Sequence, residues 1–193
     1  MNKYVKGIIV IAAFIILIGG YYYYLSNFRS KPTEENPTKV SEVQKLLLRN
    51  LEKDYPPTPK EVAKLYADIT LAYYIDGVTD EEFVKLADMM RALFDVELRD
   101  NTDYDVYQRN LRSEVSSLKS QGNTISSYSI SSSTDVEFFT KDNHDCARLN
   151  IAFTIKNISK NVAISKEVFI LRKDINGHWK IYGWAMAKDQ DEQ

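Results

Sequence analysis

The chain has 193 residues, 44% hydrophobic and 27% charged, enough for one folded domain with extensions and too rich in core-forming side chains for a disordered polypeptide. Its 25 basic and 27 acidic residues give a net charge of −2 with no basic stripe, which leaves neither nucleic-acid binding nor a broad attraction to anionic lipid an electrostatic basis. Cys146 is the only cysteine, so no intramolecular disulfide is possible and the thiol reads as a small packed hydrophobe.

From Gly7 to Leu25 the chain runs 19 residues without a charge, through GIIVIAAFIILIGG. A helix of that length reaches roughly 28 Å, close to the hydrocarbon thickness of a bilayer. It has no polar face, which excludes a helix of a soluble core. A cleaved signal peptide is the rival reading, since MNKYVKG makes a fair leading segment. However, tyrosines and a leucine stand where a small-residue cleavage site and a polar mature terminus belong. No cysteine follows the run, which excludes a lipoprotein signal. Residues 1–25 therefore read as an uncleaved transmembrane signal-anchor. Tyr21, Tyr22, Tyr23 and Tyr24 fill one helical turn with apolar rings and wet hydroxyls, which suits headgroup depth whichever way the helix rotates. Lys3 and Lys6 on one side nearly balance Arg29 and Lys31 on the other. A short amino-terminal tail ahead of a first span usually stays inside, which places the C-terminal domain of a single-pass protein of the cell membrane outside the cytoplasm.

Residues 26–38, SNFRSKPTEENPT, carry two prolines and no apolar periodicity, and read as a linker. A helix over 39–53 follows, with Val40, Val43, Leu47, Leu48 and Leu51 at helical spacing; residues 39–57 lead into the domain. After DYPPTP, Thr58, Pro59 and Glu61 predict a capping box that opens a second helix. Its apolar face is Val62, Leu65, Tyr66, Ile69, Ala72 and Tyr73, and Gly77 is its stop signal. A third helix starts at Thr79 with Glu82 three residues on, and turns Phe83, Leu86, Ala87 and Met90 inward. Phe94, Val96 and Leu98 alternate and suggest a short strand. A fourth helix spans 103–120, with Tyr104, Tyr107, Leu111, Val115 and Leu118 on one side.

Beyond Gly122 the period switches from helical to two. TISSYSISSSTDVEFF reads as one long bent strand, kept in phase by Tyr128, Ile130, Val136 and Phe138. CARLNIAFTIK puts Ala147, Leu149, Ile151, Phe153 and Ile155 on one face. VAISKEVFILRK is the third strand, DINGH an Asn-Gly turn, and WKIYGWAM the fourth strand. Helices first and sheet second make the α+β class. The prediction is an N-terminal transmembrane helix, then helices packed on a curved antiparallel sheet of about four strands, with residues 188–193 as a polar tail.

This element order, closing with FILRKDINGHWKIYGWAM, resembles the nuclear transport factor 2-like (cystatin-like) cone fold over residues 58–187. The signature is a strand, a polar turn ending in Gly, then Trp-Lys-Ile and another aromatic. The whole chain also resembles uncharacterised membrane-anchored proteins of Gram-positive bacteria that carry such a domain. The resemblance implies helices set into the mouth of a curved sheet, with room for a pocket between them. No catalytic motif of the family maps onto this sequence, and a fold that hosts enzymes, binders and scaffolds does not settle function.

KDNHDC at 141–146 is the densest group of ligand-type residues: Asp142, His144, Asp145 and Cys146. Adjacent residues on a turn diverge where a metal needs convergence, so the segment reads as a hairpin turn. His178 sits in another turn without a sequence neighbour to work with. No Gly-x-Ser-x-Gly, phosphate loop or His-Glu-x-x-His occurs, and TDEE and DNTDYD read as helix caps. No catalytic, cofactor-binding or metal residue is assigned, and no cofactor is implied. Tyr66, Tyr73, Tyr104, Tyr107, Tyr128, Tyr182 and Trp184 would line a cone pocket or fill it as core. Asp68, Asp76 and Asp88 sit off the apolar stripes or at their ends. Glu137 and Glu167 lie opposite apolar neighbours, so no carboxylate is expected inside. Lys156, Lys166, Lys173 and Lys180 mark solvent faces. Residues 168–171 and 179–184 are apolar on both faces, which implies that the first helix, a second copy or another protein covers the far side of the sheet.

These features point to a membrane-tethered, extracytoplasmic, non-enzymatic interaction or assembly domain. Its partners would be the membrane, through the N-terminal helix, and an envelope protein or a second copy. The alternative is a small-molecule or peptide-binding sensor that uses the cone pocket, with an enzyme third. A preformed cavity with a buried polar group would favour the alternatives; a filled cone with an exposed apolar sheet face would favour the first.

Overall fold

The computed structural model describes residues 42–187. The expected anchor, the linker, the Tyr21–Tyr24 collar and the polar tail lie outside the described residues. Among the described residues no helix is long and apolar enough to cross a membrane. They form an α+β unit in which helices precede a five-stranded antiparallel sheet.

Helix α1 spans Glu42–Leu47, shorter than the 39–53 expected. The Asn50 side chain accepts hydrogen bonds from the backbone N–H groups of Glu52 and Lys53, at 2.9 and 3.3 Å, and this local turn competes with further helix. Val43 is buried, but Leu48 of the same apolar set is 77% exposed. Helix α2 spans Pro59–Ala72, with proline at its first turn as predicted. Its cap is half a capping box: the Glu61 N–H donates to the Thr58 hydroxyl, while the Glu61 carboxylate accepts from that hydroxyl instead of the backbone. The helix ends at Ala72, and Gly77, the expected stop, takes φ 82° in the turn that follows. Helix α3, Asp80–Ala92, has the full box between Thr79 and Glu82 and buries Phe83, Leu86, Ala87 and Met90 as expected.

The strand suggested by Phe94, Val96 and Leu98 is a correction. Phe94 makes a single parallel bridge to Ile181, and Asp95 then caps a short helix α4, Val96–Asp100, by accepting from the Glu97 N–H at 3.0 Å. Helix α5 spans Tyr104–Ser120.

The sheet has one strand more than predicted. The long bent strand is two: β1, Asn123–Ile130, and β2, Glu137–Lys141, separated by a 3₁₀ turn over Ser133–Asp135. Ser132 caps that turn by accepting from the Thr134 N–H. Both halves pair with the same strand, β3 (His144–Asn157): β1 along its second half, β2 along its first. Strand β4 (Val162–Lys173) pairs with β3, and β5 (Trp179–Met186) with β4. KDNHDC forms the β2–β3 hairpin turn, with Asp142 and Asn143 both at positive φ, 50° and 61°. The Asn-Gly turn has positive φ at Gly177 alone, so it is the longer, glycine-bulged kind of hairpin loop and not the two-residue one.

One sheet face packs on the helices. Ala147, Leu149, Ile151, Phe153, Phe169, Leu171 and Ile181 are buried there against Val62, Leu65, Tyr66, Ile69 and Leu86. Helix α1 packs on α2 and α3, so it does not cover the far sheet face as one reading had it. On that far face Val168 and Ile170 are half-buried without a helix over them.

Asp95 is the buried charged residue of the described structure, 3% exposed. Arg172 reaches it from β4 with two parallel bonds, Nε to Oδ2 at 3.0 Å and Nη2 to Oδ1 at 2.5 Å, and gives a third to Glu97 at 2.9 Å. The Asp95 N–H donates to the Ile181 carbonyl and the Ile181 N–H to the Leu93 carbonyl, both at 2.8 Å. Lys180 adds a bond from Nζ to the Ala92 carbonyl at 2.8 Å, at the C-terminal end of α3. The chain between α3 and α4 is thereby fixed to the outer edge of β5. Replacing Arg172 with Met should cost about 3 kcal/mol in urea unfolding, because the Asp95 carboxylate is left buried and unpaired. Adding Asp95→Asn, which keeps the helix cap without the charge, should recover part of that loss.

Candidate functional site

Helical spacing puts Tyr66 and Thr70 of α2 along one stripe that Tyr73 and Tyr74 continue into the turn after it, and Tyr107, Asn110, Leu111, Glu114 and Val115 of α5 along another. The two stripes face each other and the inner sheet face across a cavity of about 340 Å³. Met90, Arg91 and Phe94 close one side, with Leu98, Arg99 and Thr102 beyond them. The sheet contributes Ile125, Phe153, Glu167 and Trp184 as the floor. The volume lies within the range of about 300–1,000 Å³ that small-molecule sites occupy.

Of the aromatics predicted to line or fill a pocket, Tyr66, Tyr73, Tyr107 and Trp184 converge here. The Trp184 ring stacks on Phe169 at 5.7 Å and 14°, and also lies 5.7 Å from Tyr66 and 5.8 Å from Phe94. Tyr182 does not join them. Strand β5 carries a bulge: Leu171 faces Ile181 but Ile170 faces Gly183, so Tyr182 is the extra residue. Without it, Trp179 and Ile181 inside would force Trp184 outside; the bulge resets the phase and brings Trp184 in. Tyr182 stays on the far face beneath the Arg172 guanidinium, 4.6 Å from its ring centroid. Tyr128 is on the inner face, edge-on to Phe153, but its hydroxyl is donated to Asp68 and it stands clear of the cavity. Tyr104 is 38% exposed and donates to Asp88 at 2.5 Å.

The charged lining was not anticipated. Glu167 was read as lying opposite apolar neighbours, yet it shares the inner face of β4 with Phe169 and Leu171 and pairs with Ile151 and Met186. Burial, and then the Glu114 carboxylate across the cavity, hold its carboxyl above the ordinary range. The signal was present in the sequence as the spacing of two between Glu167, Phe169 and Leu171. Glu114 sits on the exposed side of the α5 stripe. Neither carboxylate has an ion-pair partner among the described residues.

The arginines of the lining are committed elsewhere. Arg91 donates from Nη2 to the carbonyls of Arg99 and Thr102, at 3.1 and 3.3 Å. Its guanidinium lies over the rings of Tyr104 and Tyr107, at 5.3 and 5.6 Å. Arg99 is paired with Asp100 at 3.5 Å.

Burial pushes the phenols of Tyr66, Tyr73 and Tyr107 far above their ordinary range, and that of Tyr74 up to about 12. All four are neutral hydroxyls at physiological pH. Tyr107 points at the Ala87 carbonyl, 3.5 Å away. Tyr73 is 2% exposed, and its hydroxyl has no hydrogen-bond partner. Such a group costs about 1–3 kcal/mol unless something bonds to it.

Among the described residues no cluster of three or more His, Cys, Asp or Glu is placed to hold a metal ion. His144 is exposed at the hairpin and Cys146 is buried on the far sheet face, facing Arg172. That face carries a second, smaller cavity of about 200 Å³ with Phe139, Arg148, Ile170 and Tyr182 around it.

The chain belongs to the family described as a domain of unknown function (DUF6715), whose model matches residues 1–184. The matched span takes in the apolar N-terminal run, the linker and the α+β unit as far as Trp184. No curated protein matches the chain.

The raised pKa of Glu167 has a signed consequence. Folding favours its protonated form, so that relative stability is full below the unfolded carboxylate pKa of about 4.3 and is lost as pH rises through the higher folded value. Glu167→Gln should therefore raise the melting temperature of the ligand-free protein at pH 7. The difference should vanish when thermal unfolding is repeated near pH 3.

Proposed function

We propose that this protein is a membrane-tethered binding module that takes a small organic ligand between its helices and its sheet, on the nuclear transport factor 2-like plan. The observation that carries the reading is the preformed cavity of about 340 Å³ with the Glu167 carboxylate on its floor. A cone filled by its own aromatics would have left no such space. Four aromatics that sequence reasoning set aside as core or pocket stand around the cavity, and a carboxylate unexpected inside stands with them. A mostly apolar cavity with a few convergent polar groups is the usual form of a small-molecule site. No nucleophile paired with a base is found among the lining residues, so binding is favoured over catalysis.

The N-terminal segment supports an extracytoplasmic location. Its 19 uncharged residues suit a single span and the tyrosine cluster suits its interface. The domain would work as a sensor or carrier at the outer surface of the cell membrane.

A second reading, the interaction or assembly domain, has its own observation. β5 ends opposite Glu167 and Ala187 bonds to the Lys166 carbonyl; beyond that, β4 runs on toward Val162 without a partner on that edge among the described residues. Val162, Ile164 and Met186 are 58%, 63% and 65% exposed at that end. An envelope protein or a second copy would pair there.

Tyr73→Phe should stabilise the ligand-free protein by about 1 kcal/mol, since a buried hydroxyl without a partner is removed. The binding reading is tested by a fragment screen of the full-length protein, whose hits should give NMR shifts that map to Tyr66, Glu114 and Glu167. A screen that shifts only the Val162–Ile164 edge, or nothing, would sink the cavity in favour of the second reading. Deleting residues 1–25 should move the protein from the membrane to the soluble fraction in cell fractionation; a truncated protein that stays in the membrane fraction overturns the tether.

A further inference from the structure

The binding reading leaves the ligand's chemistry open, and the following inference rests on that reading. The cavity holds four charged side chains of two kinds, and they differ in what they already bind. Arg91 is held by two backbone carbonyls and lies over two phenol rings, so it acts as a strut between α3, α4 and α5. Arg99 is paired with Asp100. Both arginines therefore already have partners for part of their donor sets. Glu167 and Glu114 are the opposite case: two carboxylates at one cavity, with no ion pair to either. Like charges at one site raise each other's free energy, and a cation between them removes that cost.

The rest of the lining suits the same charge. The aromatic rings of Tyr66, Tyr107 and Trp184 stand at the cavity, and π faces attract cations while excluding the water that would compete. Thr70 and Asn110 add neutral polar groups, and Met90, Leu111 and Val115 supply apolar surface for a hydrocarbon body. A bare calcium or magnesium ion suits the wall poorly, since it offers two carboxylates among rings and aliphatic chains where a hard cation needs six or more oxygens.

We infer that the cavity binds a small organic cation, a protonated or quaternary amine on an apolar body, with its charge between Glu167 and Glu114 and its body against the rings of Tyr66, Tyr107 and Trp184.

Three probes with one body and different head groups test this: 4-phenylbutylamine, 4-phenylbutanol and 4-phenylbutyrate. Each is titrated by calorimetry into the full-length protein in a neutral maltoside detergent, with empty micelles as blank, and located by NMR shifts at the cavity residues. The amine should bind at least tenfold more tightly than the alcohol, and the carboxylate more weakly than either. Glu167→Gln should bring the amine-to-alcohol ratio toward one, and Glu114→Gln, on an exposed helix position that folding does not depend on, should lower it in the same direction. If the alcohol or the carboxylate binds at the cavity as tightly as the amine, the cavity reading stands and the cation inference is overturned. If none of the three shifts any cavity residue, the cavity reading fails and the inference falls with it.

Discussion

The ion pair between Asp95 and Arg172 sets the geometry on which the rest of the structure depends. It is a buried carboxylate held by a two-pronged guanidinium, and it sits where the helical layer meets the sheet edge. Without it the chain between α3 and α4 would be held against β5 by the parallel bridge to Ile181 and the Lys180 bond to the Ala92 carbonyl, with no ion pair. That connection carries Phe94 and joins Arg91 of α3 to Leu98 and Arg99 of α4, which with Thr102 make one wall of the cavity. Beside the pair, the backbone of Leu93 and Asp95 bonds to Ile181 on the outer edge of β5, where unpaired groups would otherwise recruit another strand. The ion pair and these bonds together hold the site wall against the sheet edge. Its strength comes from geometry: bidentate bonds satisfy both carboxylate oxygens, so the desolvation cost of burial is met locally.

The pattern of the sheet was legible for a simple reason. Ala147, Leu149, Ile151 and Phe153 alternate without interruption, and strict alternation has one solution. The helices α2, α3 and α5 were legible from their apolar stripes and caps. What the sequence concealed were events that break a period. The bulge at Tyr182 inserts one residue and exchanges the faces of everything after it, so Tyr182 and Trp184, equal in spacing, end on opposite sides. The 3₁₀ turn after Ser132 divides a strand whose alternation persists through the break. Val96 and Leu98 alternate like a strand, but the Asp95 side chain offers a cap that turns them into a helix. In each case a local hydrogen bond or one added residue outweighed a pattern of two or three apolar positions.

The candidate site was half visible. Tyr66, Tyr73 and Tyr107 were legible from helical spacing, because residues of one helix stripe must share a neighbour, whereas the inward place of Trp184 depends on the β5 bulge. Glu167 was missed although its spacing to Phe169 and Leu171 put it inside. A charge among apolar residues normally turns to water, but here the register forbids it. β4 cannot rotate Glu167 outward without turning Phe169 and Leu171 out as well. The carboxylate is inside because the hydrophobic cost of the alternative, two large core side chains exposed, exceeds the cost of one half-buried acid. The unpartnered Tyr73 hydroxyl had no sequence signal, since a hydrogen bond's absence depends on what the fold leaves beside it.

The two readings of function differ in what they ask of the interior. A domain that only presents an outer surface for assembly gains from a filled core, where every added contact stabilises and no polar group is left unpaired. This interior keeps a cavity, a phenol without a partner and the half-buried Glu167 carboxylate without a counter-charge, each of which lowers the stability of the empty protein. A Phe at position 73 or a Gln at 167 is sterically close to what is present and would relieve these costs. Groups that destabilise the empty form and match a missing partner are the mark of a site whose full stability is reached only when it is occupied. The edge of β4 near Val162 and Ile164 carries no comparable cost, since its apolar side chains and free backbone groups face water that solvates the backbone. The interior therefore weighs toward ligand binding, and the exposed edge remains the part of the molecule an assembly role would use.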